Sequence, residues 1–527
     1  MESYKPYGGN PSTPIHSLLD ALSKAEALTE NLAPTFATSN NLQLDFFFQI
    51  GSMRNQTDEQ ILDIFWKSFT SNPKDTLKIL FYGRDPRGGQ GERRIFKIIL
   101  KSIACSEDPN GIIEQNMRKL IPYIPIYGRW DDLFSLFDTP YEEYALNVIK
   151  DVYKLCVYNK KDTGIYISTH PLMGAEGGAI IHNMAKWLPR EKSSNKAYAI
   201  KIRKYLGMSP KEYRKFLSKY TDVVENLMCS KQWNDIIYDA IPSKAMNTYK
   251  KAFAKHSPDN WSTYLTHLEE GKANVNASTL FPHEIIKQLF FSHELIQLNH
   301  DEQRMLDQQW NALPNYMENN PLKILPVVDV SGSMYNGTSL APIVPAISLG
   351  LYIAEKNKGI FHNAFISFSE KPELILIPEG TLYDKLSYMK DSSWGYNTNF
   401  ANVFKLVLDN AVLHKISQEE MPNCILVLSD MEFDQAFDSV DQTNYEFVKD
   451  MYSKTDYEMP KMIFWNLNAR QGNVPVKSDE SDTALISGFS PIVLKYILKE
   501  GLFTPEDIMN FVISSNRYNS LEEIISF

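Results

Sequence analysis

The sequence predicts the fold class α + α/β, an α-helical solenoid followed by a doubly wound α/β domain, and three observations support this prediction. First, the 527 residues exceed what one hydrophobic core usually organises. Second, apolar residues recur at helical spacing through residues 41–310, as in DEQILDIFWKSFTS and PHEIIKQLFFSHELIQL. Third, a polar boundary at 306–323 is followed by short β-branched runs that alternate with helical ones.

These patterns divide the chain into three parts. Residues 1–40 are rich in Pro, Ser, Thr, Asn and Gly and predict a flexible N-terminal arm. Residues 41–315 predict stacked helix pairs, each burying one apolar stripe against its neighbours. Residues 316–527 predict a mostly parallel sheet covered on both faces, because several of the apolar runs lack alternation.

Six runs predict the strands of this sheet: ILPVVDV, IFHNAFISFS, ELILIP, NCILVLSD, KMIFWNLNA and DTALISG. The second and third are joined by only Glu370, Lys371 and Pro372, which predicts a hairpin and one antiparallel edge strand. In such folds ligands bind at the carboxyl ends of the parallel strands.

Composition and charge indicate the compartment and the kind of partner to expect. Cys105, Cys156, Cys229 and Cys424 are scattered, which is typical of a reducing compartment. The N-terminus resembles no signal peptide and no apolar run is long enough to span a bilayer, so we expect a cytoplasmic monomer without membrane contact. The net charge is −10, but residues 181–260 hold 16 basic and 7 acidic residues, which makes an anionic partner plausible for that stretch.

The clearest candidate site follows the first predicted strand. Asp329, Ser331 and Ser333 have a spacing that lets three oxygen-bearing side chains converge where the chain leaves the strand. Thr398 precedes a predicted helix and Asp430 ends another strand, so both should reach the same rim of the sheet. Hard oxygen ligands with few charges predict Mg²⁺ or another divalent cation. The alternative is a polar turn without a metal.

We expect this site to bind and not to catalyse, because it supplies no nucleophile paired with a base. Glu432 or Asp434 could serve as a base for water activated by the ion, and both are otherwise solvated loop carboxylates.

Two basic stretches are candidate RNA contacts. In RDPRGGQGERR, glycines before a helix could cradle a phosphate, although a tight turn between helices is the more frequent meaning of such a loop. From Lys186 to Lys219, basic residues are interleaved with Trp187, Tyr205 and Tyr213, a pattern that suits single-stranded RNA and equally a solvated helix face. The candidate residues are Arg87, Arg93, Arg94, Lys186, Arg190, Lys192, Lys196, Lys201, Arg203, Lys204, Lys211, Arg214 and Lys215.

Several segments also carry a family resemblance: RDPRGGQGERR, YGRWDDL, AKWLPRE, KYLGMSPKEYRK, GKANVNASTLFPHEI, DVSGSM, WGYNTNF, LSDMEFD and SGFSP. With this layout the chain resembles the TROVE proteins of the Ro ribonucleoprotein type. It resembles more closely a family of unknown function with members in plants, fungi and giant viruses. For a viral member, we expect the host cytoplasm or the virion.

The resemblance implies HEAT-like or TROVE-like helical repeats, which in Ro proteins close into a ring and bind small structured or single-stranded RNA. It also implies a von Willebrand A domain with a metal-ion-dependent adhesion site. By that resemblance Ser331, Ser333 and Thr398 are direct ligands, while Asp329 and Asp430 act mostly through waters. One coordination position stays open for an acidic group of a partner. Met431 departs from the pattern, since many such domains have glycine there.

Three functions follow for testing. The first is a non-enzymatic RNA-binding protein with a Mg²⁺-binding α/β domain. The second is a protein-interaction scaffold whose metal site captures an acidic residue of a partner. The third is a metal-assisted hydrolase.

Overall fold

The computed structural model describes residues 27–108, 110–158, 177–221, 223–291, 294–318, 320–335, 341–368, 372–391, 399–435, 442–500 and 504–526. Within these ranges the first part is mainly helical and the second contains a six-stranded, mostly parallel sheet. The α + α/β fold class is confirmed at this level.

The part before the sheet contains fifteen described α-helices, several short 3-10 helices and two short hairpins. The helices are α1 Leu42–Ile50, α2 Asp58–Ser71, α3 Pro73–Arg84, α4 Arg94–Ala104, α5 Ile112–Leu120, α6 Ile124–Tyr127, α7 Glu142–Tyr158, α8 Gly177–Trp187, α9 Lys196–Tyr205, α10 Pro210–Tyr220, α11 Val224–Cys229, α12 Ser243–His256, α13 Pro258–Glu269, α14 Pro282–Ile286 and α15 His300–Asn311. The hairpin strands are β1 Ala27–Leu28, β2 Pro34–Thr35, β3 Phe290–Phe291 and β4 Glu294–Leu295.

Local sequence explains where several of these helices begin. Thr57, Ser209 and Asn299 each accept a hydrogen bond from the backbone three residues ahead, and the Glu or Gln at that position returns one. This capping box satisfies backbone groups that a helix start leaves without partners. In α10 a proline follows the cap directly, where its fixed φ suits the first turn.

The second part alternates strands with helices. Its strands are β5 Ile324–Val328, β6 Ala364–Ser367, β7 Glu373–Leu376, β8 Cys424–Ser429, β9 Lys461–Asn466 and β10 Thr483–Ser487. Its helices are α16 Ile343–Lys356, α17 Leu382–Asp391, α18 Phe400–His414, α19 Asn444–Ser453, α20 Leu494–Glu500, α21 Pro505–Ile513 and α22 Asn519–Ile524.

The sheet order is β10-β9-β8-β5-β6-β7, and only the edge strand β7 runs antiparallel. All six predicted strands and the predicted hairpin are therefore confirmed. Every residue of β5 and β8 is buried, as expected for central strands covered on both faces. The carboxyl ends of β5 and β8 lie side by side, because Val328 pairs with Leu428.

Both ends of the helical part lie on the α/β part. At its start, α1 packs on β10, where the Ser487 hydroxyl accepts a hydrogen bond from Gly51 N and donates one to Phe47 O, each 3.1 Å long. At its end, α14 packs on α16 and α15 on α17. The ring of His283 in α14 also lies 5.1 Å from that of Phe489, just after β10. The described helices thus leave the α/β part and return to it.

Two features of the described structure differ from the predicted division of the chain. Residues 27–40, assigned to the flexible arm, form the β1–β2 hairpin and pair with Val474 through Phe36, in hydrogen bonds of 3.1 and 2.9 Å. Their binding partner lies more than 400 positions away in sequence, which composition alone does not reveal. The C-terminal helices α21 and α22 pack back on the helical part, and Arg517 forms a 2.7 Å ion pair with buried Asp85. Residues 1–26 lie outside the described residues.

None of the helices in the described ranges combines the length and the apolar character needed to cross a bilayer.

Candidate metal centre

Two buried aspartates lie next to each other at the rim of the sheet. Asp329 follows β5 and Asp430 follows β8, and the two residues are 0% and 2% exposed. The neighbouring strands bring them together, because Asp329 N donates to Leu428 O over 2.9 Å. The predicted convergence of these two carboxylates, which are 101 positions apart in sequence, is therefore present in the structure.

Hydroxyl groups surround Asp329. Its Oδ2 accepts a 2.6 Å hydrogen bond from the Ser429 hydroxyl, and its Oδ1 accepts a 2.9 Å bond from Ser331 N. The Ser331 and Ser333 hydroxyl oxygens lie 3.0 Å apart. Three of the five predicted ligands, Asp329, Ser331 and Ser333, therefore meet in one network at the exit of β5.

Asp430 is less well satisfied. Its Oδ1 accepts a 3.3 Å hydrogen bond from Glu432 N, whereas its Oδ2 is buried and makes no hydrogen bond among the described residues. The guanidinium of Arg470 is close by, with its Nη1 3.8 Å from that oxygen. A buried carboxylate oxygen without a hydrogen bond is costly, and a bound cation would remove that cost.

The electrostatics of the rim point the same way. Burial and the charge of Asp329 raise the pKa of Asp430 to about 7, while the neighbouring Ser333 hydroxyl opposes the rise. Burial likewise raises the pKa of Asp329, against the hydrogen bonds from Ser429 and Ser331. Two adjacent buried acids that resist joint ionisation form a site in which a divalent cation would favour the charged forms.

The residues of the rim offer a metal ion oxygen ligands only. Among the described residues, no three His, Cys, Asp or Glu side chains converge as a metal-binding cluster. A cation here would depend on two carboxylates and on serine hydroxyls, which are ligands for Mg²⁺ and not for a soft transition metal. The fifth predicted ligand, Thr398, lies outside the described residues, and its role stays a prediction.

Met431 lies at a position where the backbone conformation favours glycine. Its φ is +67°, in the left-handed region that glycine enters most easily. The turn that carries Asp430 into the rim therefore needs this conformation, and here a buried methionine adopts it.

The prediction that Glu432 is a solvated loop carboxylate is wrong, because this residue is buried against the N-terminal hairpin. Its Oε2 accepts a 2.7 Å hydrogen bond from Glu30 N in the N-terminal hairpin, and Asn473 Nδ2 lies 3.5 Å from the same oxygen. Its side chain is buried, and burial raises its pKa. The carboxylate therefore anchors the hairpin to the rim, a role that the sequence did not indicate.

The glycine-rich loop uses its own backbone donors internally. Gly89 N and Gly91 N both donate to Asp85 O, over 3.0 and 3.2 Å, and Gln90 N donates to Tyr82 O over 3.1 Å. The loop packs at the junction with β10, where the Gln90 side chain lies against Gly488 and accepts a 3.4 Å hydrogen bond from Ser490 N. These N–H groups donate hydrogen bonds within a turn between helices. They are therefore not available to a phosphate, and the loop is better interpreted as a turn.

Several basic residues predicted to contact RNA form ion pairs with acidic residues of the chain. Arg93 pairs with Asp131 over 2.7 Å and Arg94 pairs with Asp58. Lys201 pairs with Asp138 and Glu142, each over 2.7 Å, and Arg203 with Glu191 over 2.8 Å.

Two further arginines donate to uncharged acceptors. Arg87 donates to Ile126 O over 3.5 Å, and Arg190 donates to Ala185 O and Thr221 Oγ1 over 3.2 and 3.0 Å.

The remaining candidates are exposed and form no ion pair within the described ranges: Lys186, Lys192, Lys196, Lys204, Lys211, Arg214 and Lys215. The last three lie on one side of α10 and, with Ser218 and Lys219, line a shallow depression. This set, Lys211, Arg214, Lys215 and Lys219, is called the α10 basic face below. Its spacing of three, four and eight residues places all four side chains on one helix surface.

The aromatic residues of this stretch do not offer free rings. Tyr213 is buried and donates to Pro189 O over 3.0 Å, while the half-buried ring of Tyr205 has Lys150 Nζ 4.9 Å from its centre. Trp187 is covered by the Arg129 guanidinium, 4.4 Å from its ring centre. The base-stacking part of the sequence prediction therefore has no support from these three side chains.

Comparison with known proteins identifies two domains of unknown function. Residues 29–152 and 176–321 match the domain of unknown function DUF2828, and residues 323–523 match the domain of unknown function DUF7788. The first match ends at residue 321 and the second begins at residue 323.

Two whole-chain similarities accompany these matches. The chain is 29% identical to uncharacterized protein L728 of Acanthamoeba polyphaga mimivirus over 524 residues, 92% of this chain and 87% of that protein. It is also similar to the crystal structure of the Deinococcus radiodurans Ro (RSR) protein, with 12% identity, a TM-score of 0.39, and coverage of 92% of this chain and all of that one. Similarity at that structural level does not establish a shared function. The DUF2828 match covers half of the chain, and the chain therefore belongs to the DUF2828 family.

Proposed function

We propose that this chain is a non-enzymatic binding protein whose C-terminal part is a von Willebrand A-type domain that holds Mg²⁺ or another divalent cation. Asp329, Ser331, Ser333 and Asp430 would hold the ion, and the ion would present a coordination position to an acidic residue of a partner protein. The observation that carries the proposal is the buried Asp430 Oδ2, which has no hydrogen bond among the described residues and lies beside a second buried carboxylate.

Burial gives this site its strength. A carboxylate at the surface gains little free energy when a cation replaces its bound water. A carboxylate buried in the low-dielectric rim has already lost that water on folding, so it gains more from a cation. The ion would supply a charge that binds and orients an acidic group. The hydrogen bonds that Glu432 accepts from Glu30 and Asn473 argue against its use as the base of a hydrolase. The other candidate base, Asp434, forms a β-bridge with Leu32, and its charge helps to raise the pKa of Asp329.

Calorimetric titration of Mg²⁺ and Mn²⁺ into the full chain tests the proposal. The wild type should bind one ion, and Asp329→Ala should bind none. Ser417→Ala should match the wild type, because Ser417 is exposed and precedes β8, whereas Asp430 follows the other end of that strand. Partner capture on immobilised chain should then require both Mg²⁺ and Asp329. Binding of a partner that survives EDTA and Asp329→Ala equally would contradict the role of the ion.

A second function, RNA binding, has a separate observation in its favour. The α10 basic face carries four exposed cationic side chains that form no ion pair in the described part of the chain. Such a face contacts phosphates, and contacts of this kind release counterions, so affinity falls steeply with salt. A gel-shift series with a short RNA at low salt tests this function, and absence of binding there would exclude it.

A further inference from the structure

The N-terminal hairpin is fastened to the loops that form the rim. Thr29 Oγ1 donates to Phe433 O over 2.8 Å, and Asn31 Nδ2 donates to Glu432 O over 2.7 Å. Leu32 forms a β-bridge with Asp434, and Phe36 forms one with Val474. The segment 27–36 therefore rests on the two loops that follow β8 and β9, immediately after Asp430 in the first of them.

Arg470 joins this hairpin to the candidate metal centre. Its Nη2 lies 2.6 Å from Glu30 Oε2, and its Nη1 lies 3.8 Å from Asp430 Oδ2. Its side chain is 28% exposed, so water screens its charge only in part. Without a bound ion, this guanidinium is the cationic group closest to the unsatisfied oxygen within the described ranges.

An ion held by Asp430 would compete with this arrangement. A divalent cation and a guanidinium repel each other, and both are attracted by the same carboxylate oxygen. The distance of 3.8 Å is longer than a hydrogen bond, so Arg470 lies near Asp430 Oδ2 without satisfying its lone pair. The hairpin holds Arg470 in this position through Glu30.

We propose that Arg470 is the counter-ion of the metal-free rim and that the N-terminal hairpin is a clamp whose hold weakens when a divalent cation binds. This inference rests on the proposed cation site and adds its regulation. Linkage is reciprocal, so whatever loosens the clamp raises cation affinity, and a bound cation loosens the clamp by the same factor.

Two substitutions test the counter-ion. Arg470→Gln removes the competing charge, so the Kd for Mg²⁺ or Mn²⁺ should fall about fivefold or more. Glu30→Gln breaks the ion pair through which the hairpin holds Arg470, so by the same linkage the Kd should also fall, though by less, because this variant removes one negative charge near the rim. General destabilisation of the fold would raise the Kd in both variants.

A matched control comes from the same loop. Lys477 donates to Thr38 O and Asn40 Oδ1, each over 3.1 Å, so it also ties the N-terminal segment to the loop after β9. Like Arg470→Gln, Lys477→Gln removes one positive charge and a contact between the loop after β9 and the N-terminal segment. Because these two acceptors are not rim carboxylates, the Kd of this variant for the cation should stay within about twofold of the wild type.

Hydrogen exchange tests the clamp without relying on affinity. Glu30 N donates to Glu432 and Leu32 N donates to Thr29 O over 3.0 Å, so both amides report on the hairpin. Saturating Mg²⁺ should speed their exchange in the wild type and have little further effect in Arg470→Gln.

The outcomes separate the two proposals. If the wild type binds no divalent cation, the proposed cation site fails, and this inference fails with it. If the wild type binds the ion but Arg470→Gln binds it equally or more weakly, or hairpin exchange slows on binding, the cation site stands and the clamp is overturned.

Discussion

The sheet rim and the α10 basic face both carry charge that the described part of the chain leaves unbalanced, but one is buried and the other is exposed. At the rim, Asp329 and Asp430 are excluded from water, and their pKa values rise because ionisation is penalised. On α10, four cationic side chains remain in solvent, where water and salt screen them. The rim should therefore select one small ion, and the face should attract polyanions with little selectivity.

A second contrast lies within the basic residues themselves. Arg93, Arg94, Lys201 and Arg203 resemble the α10 residues in sequence, yet each has an acidic partner. Such surface pairs add little to stability, typically under about 1 kcal/mol. They do, however, cancel the local charge that a phosphate would be attracted to. Positive charge in the sequence thus predicts an anion site only where the fold brings no carboxylate to it.

The largest expected effect is at the rim. Asp430→Ala removes a charged group from the site, so divalent-cation affinity should fall by about 100-fold or more. Asp409→Ala, which removes an exposed acid paired with Lys405 on α18, should leave the affinity unchanged. Calorimetry or Mn²⁺ binding followed by electron paramagnetic resonance measures both. Equal loss in the two variants would mean that overall negative charge, and not the rim, attracts the ion.

The α10 basic face should give the next largest effect. Replacing Lys211, Arg214, Lys215 and Lys219 with Gln should weaken RNA binding by about tenfold or more at about 50 mM salt. The slope of log affinity against log salt should also shrink by about 0.7 to 0.9 for each phosphate that the variant no longer neutralises. Fluorescence anisotropy across a salt series measures both quantities. An unchanged slope would mean that RNA binds elsewhere on the chain.

A pH dependence should separate the buried region from the exposed one. The pKa of Asp430 is raised in the folded state, so between about pH 4 and about pH 7 the folded protein binds more protons than the unfolded one. In metal-free protein this group therefore stabilises the fold at low pH, and that stability is lost as pH rises through about 7. The slope is at most about 1.4 kcal/mol per pH unit.

Asp430→Asn should remove that contribution, and saturating Mg²⁺ in the wild type should reverse it, because the cation favours the ionised form. Urea unfolding in EDTA at about pH 5 and about pH 7.5 measures the slope. A slope identical in wild type and variant would mean that Asp430 ionises freely in the fold.

The smallest effect is expected from the paired arginines. The double variant Arg93→Gln, Arg94→Gln should change RNA affinity by less than about twofold, because both side chains already bind carboxylates. The anisotropy assay used for α10 provides the direct comparison. A loss as large as that of the α10 variant would show that these ion pairs open for RNA.

Much of the α/β part could be predicted because its signals are local. Six apolar runs marked six strands, and the short joint around Pro372 marked the antiparallel edge. The neighbourhood of Asp329 and Asp430 followed from the rule that parallel strands share one carboxyl rim.

What could not be predicted depends on contacts between distant positions. Glu30 and Arg470 are 440 positions apart, and nothing in a polar N-terminal segment indicates which loop it will pair with. The ion pairs of Arg93 with Asp131 and of Arg94 with Asp58 are equally invisible at the level of spacing. Thr398 was predicted from a motif, and its part in the site stays a prediction.

The most direct test of the cation site is a crystal of the full chain soaked in Mn²⁺ and measured for anomalous scattering. A single strong peak within coordination distance of Ser331 and Ser333 hydroxyls and beside Asp329 and Asp430 is the expected result. A map with no peak at the rim, from crystals in which Mn²⁺ is seen bound elsewhere, would contradict it.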